Sequence, residues 1–538
     1  MKYALAFPAL RVVATALSLL LPGLLPSPSI NAQPRGWNGV ASGNDDELYV
    51  RALQLLGATP ATGWASRPLS NQVLDRARLT LTGKHPWQTR FAPDSGAKTV
   101  SWRGISMDGS ANSAFPWGGN DGPRWQGKGV NASLTSGVLV RWKFLTVRAE
   151  PVAVYAQNAA FDPLPTWSID SVGPFVDRMR PVTIDLPERP GTLAVQRLDV
   201  GESELRLESH GFTAAFSNRA LFFGPAVRNP LILGGNAPGF AHVSAGTADG
   251  IRTPLGRLAG TIVYARLAQS SWAPNEREGS RIAAGTVVSW RPPSGRGVEL
   301  GLIRFYHRDW PSDGIKASDF LLPFGSLLRD REVAGVAPPD NQLLSLFARA
   351  ASVSTGLEVF GEFARNDRSS GVRDLTVEPE HNSAWSAGLL KVSGNRSSGK
   401  FWTSRAEYLN GRITSLQRFR GQATLYEHVT ITQGHTNRGQ LLGSPLLERT
   451  GGFELAVDRW STSGRLGTLV QQRVMPLTGD ESVPAGAARS QWALEFNGAW
   501  FRRASEFGWR TGITWDLNRT AGIDAKNYFL AGSMRLGR

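Results

Sequence analysis

The chain has 538 residues with 59 Gly, 18 Trp and 24 Phe, yet its mean hydropathy is only −0.21 and its formal charge is +15. It contains no Cys, which removes thiolate zinc sites, thiol nucleophiles and disulfide staples. Beyond the first 32 residues there is no run of about 18 uncharged apolar residues, so helical membrane spans are excluded. A barrel whose strands are polar on the lumen side fits the composition better.

Residues 1–32 read as a secretory signal. Lys2 and Arg11 form the charged start, Val12 to Leu25 the apolar core, and Ile30-Asn31-Ala32 a small-residue cleavage site. An uncleaved anchor is the alternative, against which Pro22, Gly23 and Pro26 interrupt the apolar run. Without Lys2 and Arg11 the mature chain keeps about +13, which reads either as a loosely basic surface or as attraction to a polyanion. For an exported barrel that polyanion is an acidic polysaccharide or lipopolysaccharide phosphate, not nucleic acid.

Residues 33–84 form a helical segment. Asn44 with Glu47 makes a capping-box-like start, and Asp45 and Asp46 suit the positive end of a helix. Leu48, Ala52, Leu55 and Leu56 follow at helical spacing, with Gly57 as the stop. A second helix after Ser70 carries Val73, Leu74, Ala77 and Leu81. Two such short helices bury little alone, so their expected place is the periplasmic mouth of a barrel; a small soluble adaptor is the alternative.

Residues 85–538 then read as an outer-membrane β-barrel. The first strands lie within 85–135, among irregular loops. In the hairpin GVLVRWKFLTVRAEPVAVYAQN, Val138, Val140, Trp142 and Phe144 share one face opposite Arg141 and Lys143. After a tight turn, Val147, Ala149, Ala153 and Tyr155 oppose Arg148 and Glu150. Alternation recurs at 258–267, 282–290, 298–305, 343–353, 357–363, 385–392, 401–409, 453–460, 466–474, 492–500 and 528–536. It is plainest in EFGWRTGITWDLNR, where Phe507, Trp509, Thr511, Ile513, Trp515 and Leu517 oppose Gly508, Arg510, Gly512, Thr514, Asp516 and Asn518. At about 24 residues per strand and loop the barrel has 16 to 18 strands, and single-chain bacterial barrels take even numbers. The chain ends Leu536-Gly537-Arg538 and not on an aromatic residue, so the closing strand is expected at Asn527–Leu536 with Phe529 carrying the terminal signal.

One stretch breaks the pattern. Residues 216–247, FSNRALFFGPAVRNPLILGGNAPGFAHVSAGT, hold Gly-Pro, Arg-Asn-Pro and Gly-Gly-Asn turns that interrupt any strand. Such a segment should fold in as a loop, with Arg219, Arg228, Asn229 and Asn236 satisfying its freed backbone groups.

That block resembles the capsule-assembly (Wzi-type) outer-membrane barrel family, which carries an aromatic-Gly-Pro turn, an Arg-Asn pair, and Asn-Ala-Pro-Gly-Phe followed by a His. Matching positions here are Asn218, Arg219, Gly224, Pro225, Arg228, Asn229, Asn236, Pro238, Gly239, Phe240 and His242. IDLPERPG (184–191), GESELRLE (201–208) and YEHVTITQGHTNRGQLLGSPL (426–446) are similar to family segments too, and NDDELYVRALQLLG to its periplasmic helices. The Gly-Arg terminus and Leu221-Phe222-Phe223, where the family often has Trp, depart from the pattern. The resemblance implies an 18-stranded barrel with a periplasmic helical plug. Its implied role is to hold capsular or exopolysaccharide at the surface as a lectin, without chemistry or cofactor. Lipopolysaccharide, outer-membrane lipid and the polysaccharide export machinery are the further partners expected.

Candidate sites follow from residue chemistry. Arg418, Arg420, Tyr426, His435, Asn437 and Arg438 gather in one region, where guanidinium forks match carboxylates and aromatic faces stack on sugar rings. The plainer alternative is an Arg–Glu ladder with Glu427 or Glu448, and it extends to Arg502, Arg503 and Arg510. His242 and Ser244, two apart, have the spacing of a lipase-like pair, but no orienting Asn or Asp follows, and a structural histidine is expected. Glu358 and Glu362 read as lumen carboxylates paired with Arg, not as a glycosidase pair. No His/Asp cluster has metal-ligand spacing. A porin-like channel for sugars or anions is the alternative function.

Overall fold

The computed structural model describes residues 40–80, 98–164, 175–177, 180, 182–273, 279–293, 297–324, 340–366, 376–394, 399–412, 423–448, 450–475, 489–502, 505–520 and 523–536. The expected signal (1–32) and the Gly537-Arg538 terminus lie outside these residues, as do the ends of the 33–84 segment.

Among the described residues eighteen strands close into one antiparallel barrel. They are β1 (Lys98–Asn112), β2 (Gly129–Trp142), β3 (Leu145–Ala149 and Val152–Ala156), β4 (Val195–Asp199 and Glu204–Ser209), β5 (Phe212–Ser217) and β6 (His242–Thr247 and Ile251–Thr253). Next come β7 (Gly256–Ala268), β8 (Ser280–Arg291), β9 (Val298–Asp309), β10 (Asp340–Ser352), β11 (Leu357–Asn366) and β12 (Ser383–Gly394). The circuit ends with β13 (Phe401–Asn410), β14 (Gly451–Ser461), β15 (Gly464–Met475), β16 (Arg489–Arg502), β17 (Ser505–Thr520) and β18 (Ile523–Leu536). β18 pairs with β17 on one side and β1 on the other, Gly532 facing both Trp509 and Gly109, so the closing strand starts four residues before Asn527.

The faces sort as period-two alternation requires. On β17, Phe507 and Leu517 are exposed to the outside, whereas Thr514 and Asp516 are fully buried within. Trp102, Trp142, Phe144, Phe216, Trp385, Trp402, Trp500 and Tyr528 stand exposed on the outer face, as a lipid-facing wall needs. Glu358 points inward to Arg349 (Nε 2.9 Å, Nη2 3.0 Å from the carboxylate), and its register neighbours Leu357 and Val359 point away.

Even-numbered strands through β16 lead to the next through short connections, such as His210-Gly211, both in the left-handed region; the odd-numbered connections are mostly long. In barrels of this type the short turns face the periplasm. Both helices pack inside that end. α1 (Asp45–Leu55) is capped by Asn44, whose Oδ1 accepts from Glu47 N at 2.9 Å, and Gly57 follows at φ 66°. The Glu47 carboxylate reaches back to Gly43 N, not to Asn44 N, at 2.7 Å. Tyr49 packs against the Phe401 and Trp460 rings (centroids 6.0 and 5.7 Å), Arg51 pairs with Glu358, and Asp45 with Arg465 at 2.7 Å. α2 (Asn71–Thr80) begins on a wall carboxylate: Glu208 accepts from Asn71 N at 3.0 Å and Gln72 N at 3.3 Å, where helix N–H groups point outward. No described helix is long and apolar enough to cross a membrane.

Candidate functional site

Two connections turn into the lumen: residues 218–241, between β5 and β6, and 423–448, between β13 and β14. Leu231, Ile232, Leu233, Phe223, Leu441, Leu442 and Leu446 form their common apolar core. It rests on inward side chains of β7 to β11, including Val263, Val287, Ile303, Phe305 and Leu343. The segment folds in as its turns require, but its backbone is satisfied differently from the sequence expectation. Glu407 on β13 accepts from Val227 N (2.6 Å), Arg228 N (3.0 Å) and Asn229 Nδ2 (2.6 Å). On the other side Arg51 donates to the Pro225 carbonyl, and Arg67 to the Gly224 (3.1 Å) and Ala226 (2.7 Å) carbonyls. Buried backbone groups need partners, and here side chains of the wall, of α1 and of the α1–α2 connection supply several of them. Arg67 lies outside the helices and motifs singled out above, and Arg51 and Glu407, though within the 44–57 and 401–409 stretches, have nothing in their local pattern that marks them as partners of this segment.

Among the expected motif residues, Asn236 behaves as anticipated and does more. Its Nδ2 donates to Leu441 O at 3.1 Å and its Oδ1 accepts from Asn120 N at 3.1 Å, tying both folded-in segments to the β1–β2 connection. Asn218 donates to Gly201 O at 3.2 Å. Arg219 pairs with Glu204 (2.8 Å) and Glu202 (3.1 Å) and donates to Val40 O, outside its own loop. Gly224 sits at φ 93°, and a Cβ on Gly239 would lie 1.8 Å from Asn218 O, so both positions demand glycine. Asn229 Oδ1 accepts from Ser444 Oγ at 3.0 Å, and Pro238 O accepts from Asn437. His242 donates from Nδ1 to Phe240 O at 2.9 Å with the two rings in contact, while Ser244 lines a separate recess of about 70 Å³.

Of the expected sugar-contacting residues, Arg418 and Arg420 lie outside the described residues, as do Arg503 and the Arg502 side chain of the alternative ladder. Tyr426, His435 and Asn437 are fully buried in the seam between the folded-in segments. Tyr426 donates to Leu231 O (2.7 Å) and accepts from Ser444 N (2.9 Å); Asn437 donates to Pro238 O (3.1 Å) and accepts from Ala268 N (3.0 Å). His435 Nε2 donates to Ile232 O at 2.6 Å, and burial pushes its pKa down to about 4, so the ring is neutral at physiological pH. Arg438 is half-exposed and pairs with Asp199. Burial raises the nearby Asp185 carboxyl, which accepts from Ser270 N and Oγ.

The open space lies elsewhere. A cavity of about 510 Å³ runs beside β16 to β18 and β1 to β3, between the α1 start, the 119–126 turn and the folded-in segment. Trp125 and the motif residues Arg228 and Gly239 line it. So do eight arginines in all and ten carboxylates, with no Lys or His. Every one of those arginines has a carboxylate within 3.8 Å. Arg124 pairs with Asp108 at 3.3 Å, Arg535 with Glu506 at 3.4 Å, Arg510 with Glu495 at 3.8 Å and Arg228 with Glu454 at 3.7 Å. Arg103 and Arg148 share Glu150 at 3.5 Å, Arg405 joins Glu454, and Arg465 joins Asp45 and Asp458. Among the described residues no three His, Asp or Glu groups stand where they could hold a metal ion.

No family profile and no curated protein matches this sequence. Solved structures do. A BenF-like porin from Pseudomonas fluorescens Pf-5 aligns over 82% of this chain and 99% of its own, at 9% identity and TM-score 0.39. Wzi of Escherichia coli, described as a carbohydrate-binding β-barrel of the outer membrane involved in group 1 capsule assembly, aligns over 93% of this chain and all of its own, at 11% identity and TM-score 0.60. The chain therefore has the fold of the 18-stranded Wzi outer-membrane barrel.

Proposed function

We propose that this protein is an exported outer-membrane barrel, residues 1–32 being its removable signal, that attaches or organises capsular or exopolysaccharide at the cell surface without catalysis. The observation that carries the proposal is the combination inside the lumen: an apolar plug resting on β7 to β11, beside a polar, arginine- and carboxylate-lined cavity of about 510 Å³. A plug of this kind suits retention of a ligand rather than flux, and Arg, Asp, Glu and Trp are the side chains that meet sugar hydroxyls and ring faces. Likeness in fold to a carbohydrate-binding barrel points the same way. The mature chain's charge of about +13 favours a polymer that is acidic overall, whatever the character of the stretch that the cavity holds. Cells lacking the protein should release polymer into the medium, and unchanged cell-bound polymer would refute the reading. A porin-like channel is the second reading, favoured by the polar, arginine- and carboxylate-rich lining of the cavity. Planar-bilayer recording separates the two, because a plugged binding barrel should be nearly silent.

A further inference from the structure

From the charge arrangement of the cavity we infer that the glycan stretch it holds is uncharged, so the site reads neutral pyranose hydroxyls and not uronate or phosphate groups; this rests on the carbohydrate reading above. The chain's net charge of +15 suggests a polyanion, but that charge does not reach the cavity wall, where carboxylates outnumber arginines and every arginine is already neutralised. An anionic sugar entering there would have to break an existing pair, since the cavity's Asp199 and Glu202 too are held by arginines, Arg438 and Arg219.

The same pairs suit neutral sugars well. The accessible ones, Arg124 with Asp108, Arg510 with Glu495 and Arg535 with Glu506, keep side chains about a third exposed on the arginine side, at 34%, 30% and 34%. Each exposed edge sets a guanidinium N–H beside a carboxylate oxygen. One hydroxyl of a vicinal diol can donate to the carboxylate while its neighbour accepts from the guanidinium, both through charge-assisted hydrogen bonds. Three such edges around one cavity, two on the wall and one on the 119–126 turn, offer separate contacts to successive sugars of a chain.

The test uses the full-length protein folded in detergent, with a neutral α-glucan hexasaccharide and a hexagalacturonate as probes. The neutral probe should bind with an affinity unchanged between about 0.05 and about 0.5 M salt, because no net charge is exchanged. Hexagalacturonate should bind at least about tenfold more weakly. Ser106→Trp, which places an indole on the inward face of β1 in the cavity, should abolish binding of the neutral probe. Asp108→Asn with Glu495→Gln frees Arg124 and Arg510 and should raise hexagalacturonate affinity about tenfold. Salt-sensitive hexagalacturonate binding that is the tighter of the two, and is lost in Ser106→Trp, would overturn the neutral assignment while leaving the carbohydrate reading standing. Binding of neither probe would overturn both.

Discussion

The two sides of the lumen differ in what their inward residues are. On β9 the inward series holds Ile303 and Phe305, both fully buried under the folded-in segments, while Leu300 faces outward and exposed. On β1 and β16 the inward series holds Ser106, Asp108, Ser110, Glu495 and Asn497, which face the cavity. A wall apolar on both faces is a docking surface for something dry, and a wall apolar on one face only encloses water or a hydrophilic ligand. Plug and cavity are therefore two consequences of one alternation rule, read strand by strand.

The sharpest way to break that division is to release the plug from its wall. Glu407→Ala removes the acceptor shared by Val227 N, Arg228 N and Asn229 Nδ2, orphaning the buried Val227 N and stripping the half-buried Arg228 N, while Asn229 keeps its bond to Glu454. At about 1–3 kcal/mol for each of the two backbone donors, docking of the segment should weaken by about 3 kcal/mol. Single-channel recording should then show openings that the wild-type barrel lacks. A variant as silent as wild type would mean that the apolar contact alone holds the plug.

Much of this architecture is legible in the chain. The alternating stretches from 258 to 536 locate strands within a few residues, and the Asn44–Glu47 and Gly57 signals bracket α1. β4 to β6 are not legible: each is short or interrupted, as between Asp199 and Glu204, so the period never runs long enough to read. The site is less legible still. Tyr426, His435 and Asn437 have sugar-binding chemistry, but whether a side chain faces solvent or a neighbouring loop depends on contacts 195 and more residues away, such as Tyr426 with Leu231. Net charge misleads for a related reason: pairing is local, and the cavity arginines find their carboxylates on adjacent strands and on α1.

Acid should loosen the dry side before the wet one. His435 is neutral in both states well above its unfolded pKa near 6.5. Between there and about 4 the unfolded plug takes up a proton that the buried ring refuses, so stability falls as pH drops through that window and levels off below it. The full loss is on the order of 3 kcal/mol. Protection of the amides across 423–448, taken relative to the intrinsic exchange rate at each pH, should fall between pH 7 and 4.5, and His435→Gln should flatten the dependence. An unchanged profile in that variant would remove His435 as the cause.

Asn236→Ala probes the boundary between the two sides, since it cuts the ties to Asn120 N and Leu441 O together. A cost of about 2 kcal/mol should appear as faster exchange in the 119–126 turn and weaker binding of a neutral oligosaccharide, without channel openings. Openings would show that the turn also braces the plug.

The smallest effect belongs to the mouth. Asn44→Ala removes the cap on Glu47 N at the start of α1, a loss of about 1 kcal/mol. Tyr49, wedged against Phe401 and Trp460, and Arg51, paired with Glu358, continue to hold the helix. Fraying should be confined to the first turn, where Asp45 meets Arg465 at the edge of the cavity. Exchange at residues 45–48 should rise while that at 50–55 stays put. If the whole helix loosens, the cap and not the aromatic wedge anchors it, and the plugged mouth is a less secure boundary than its burial implies.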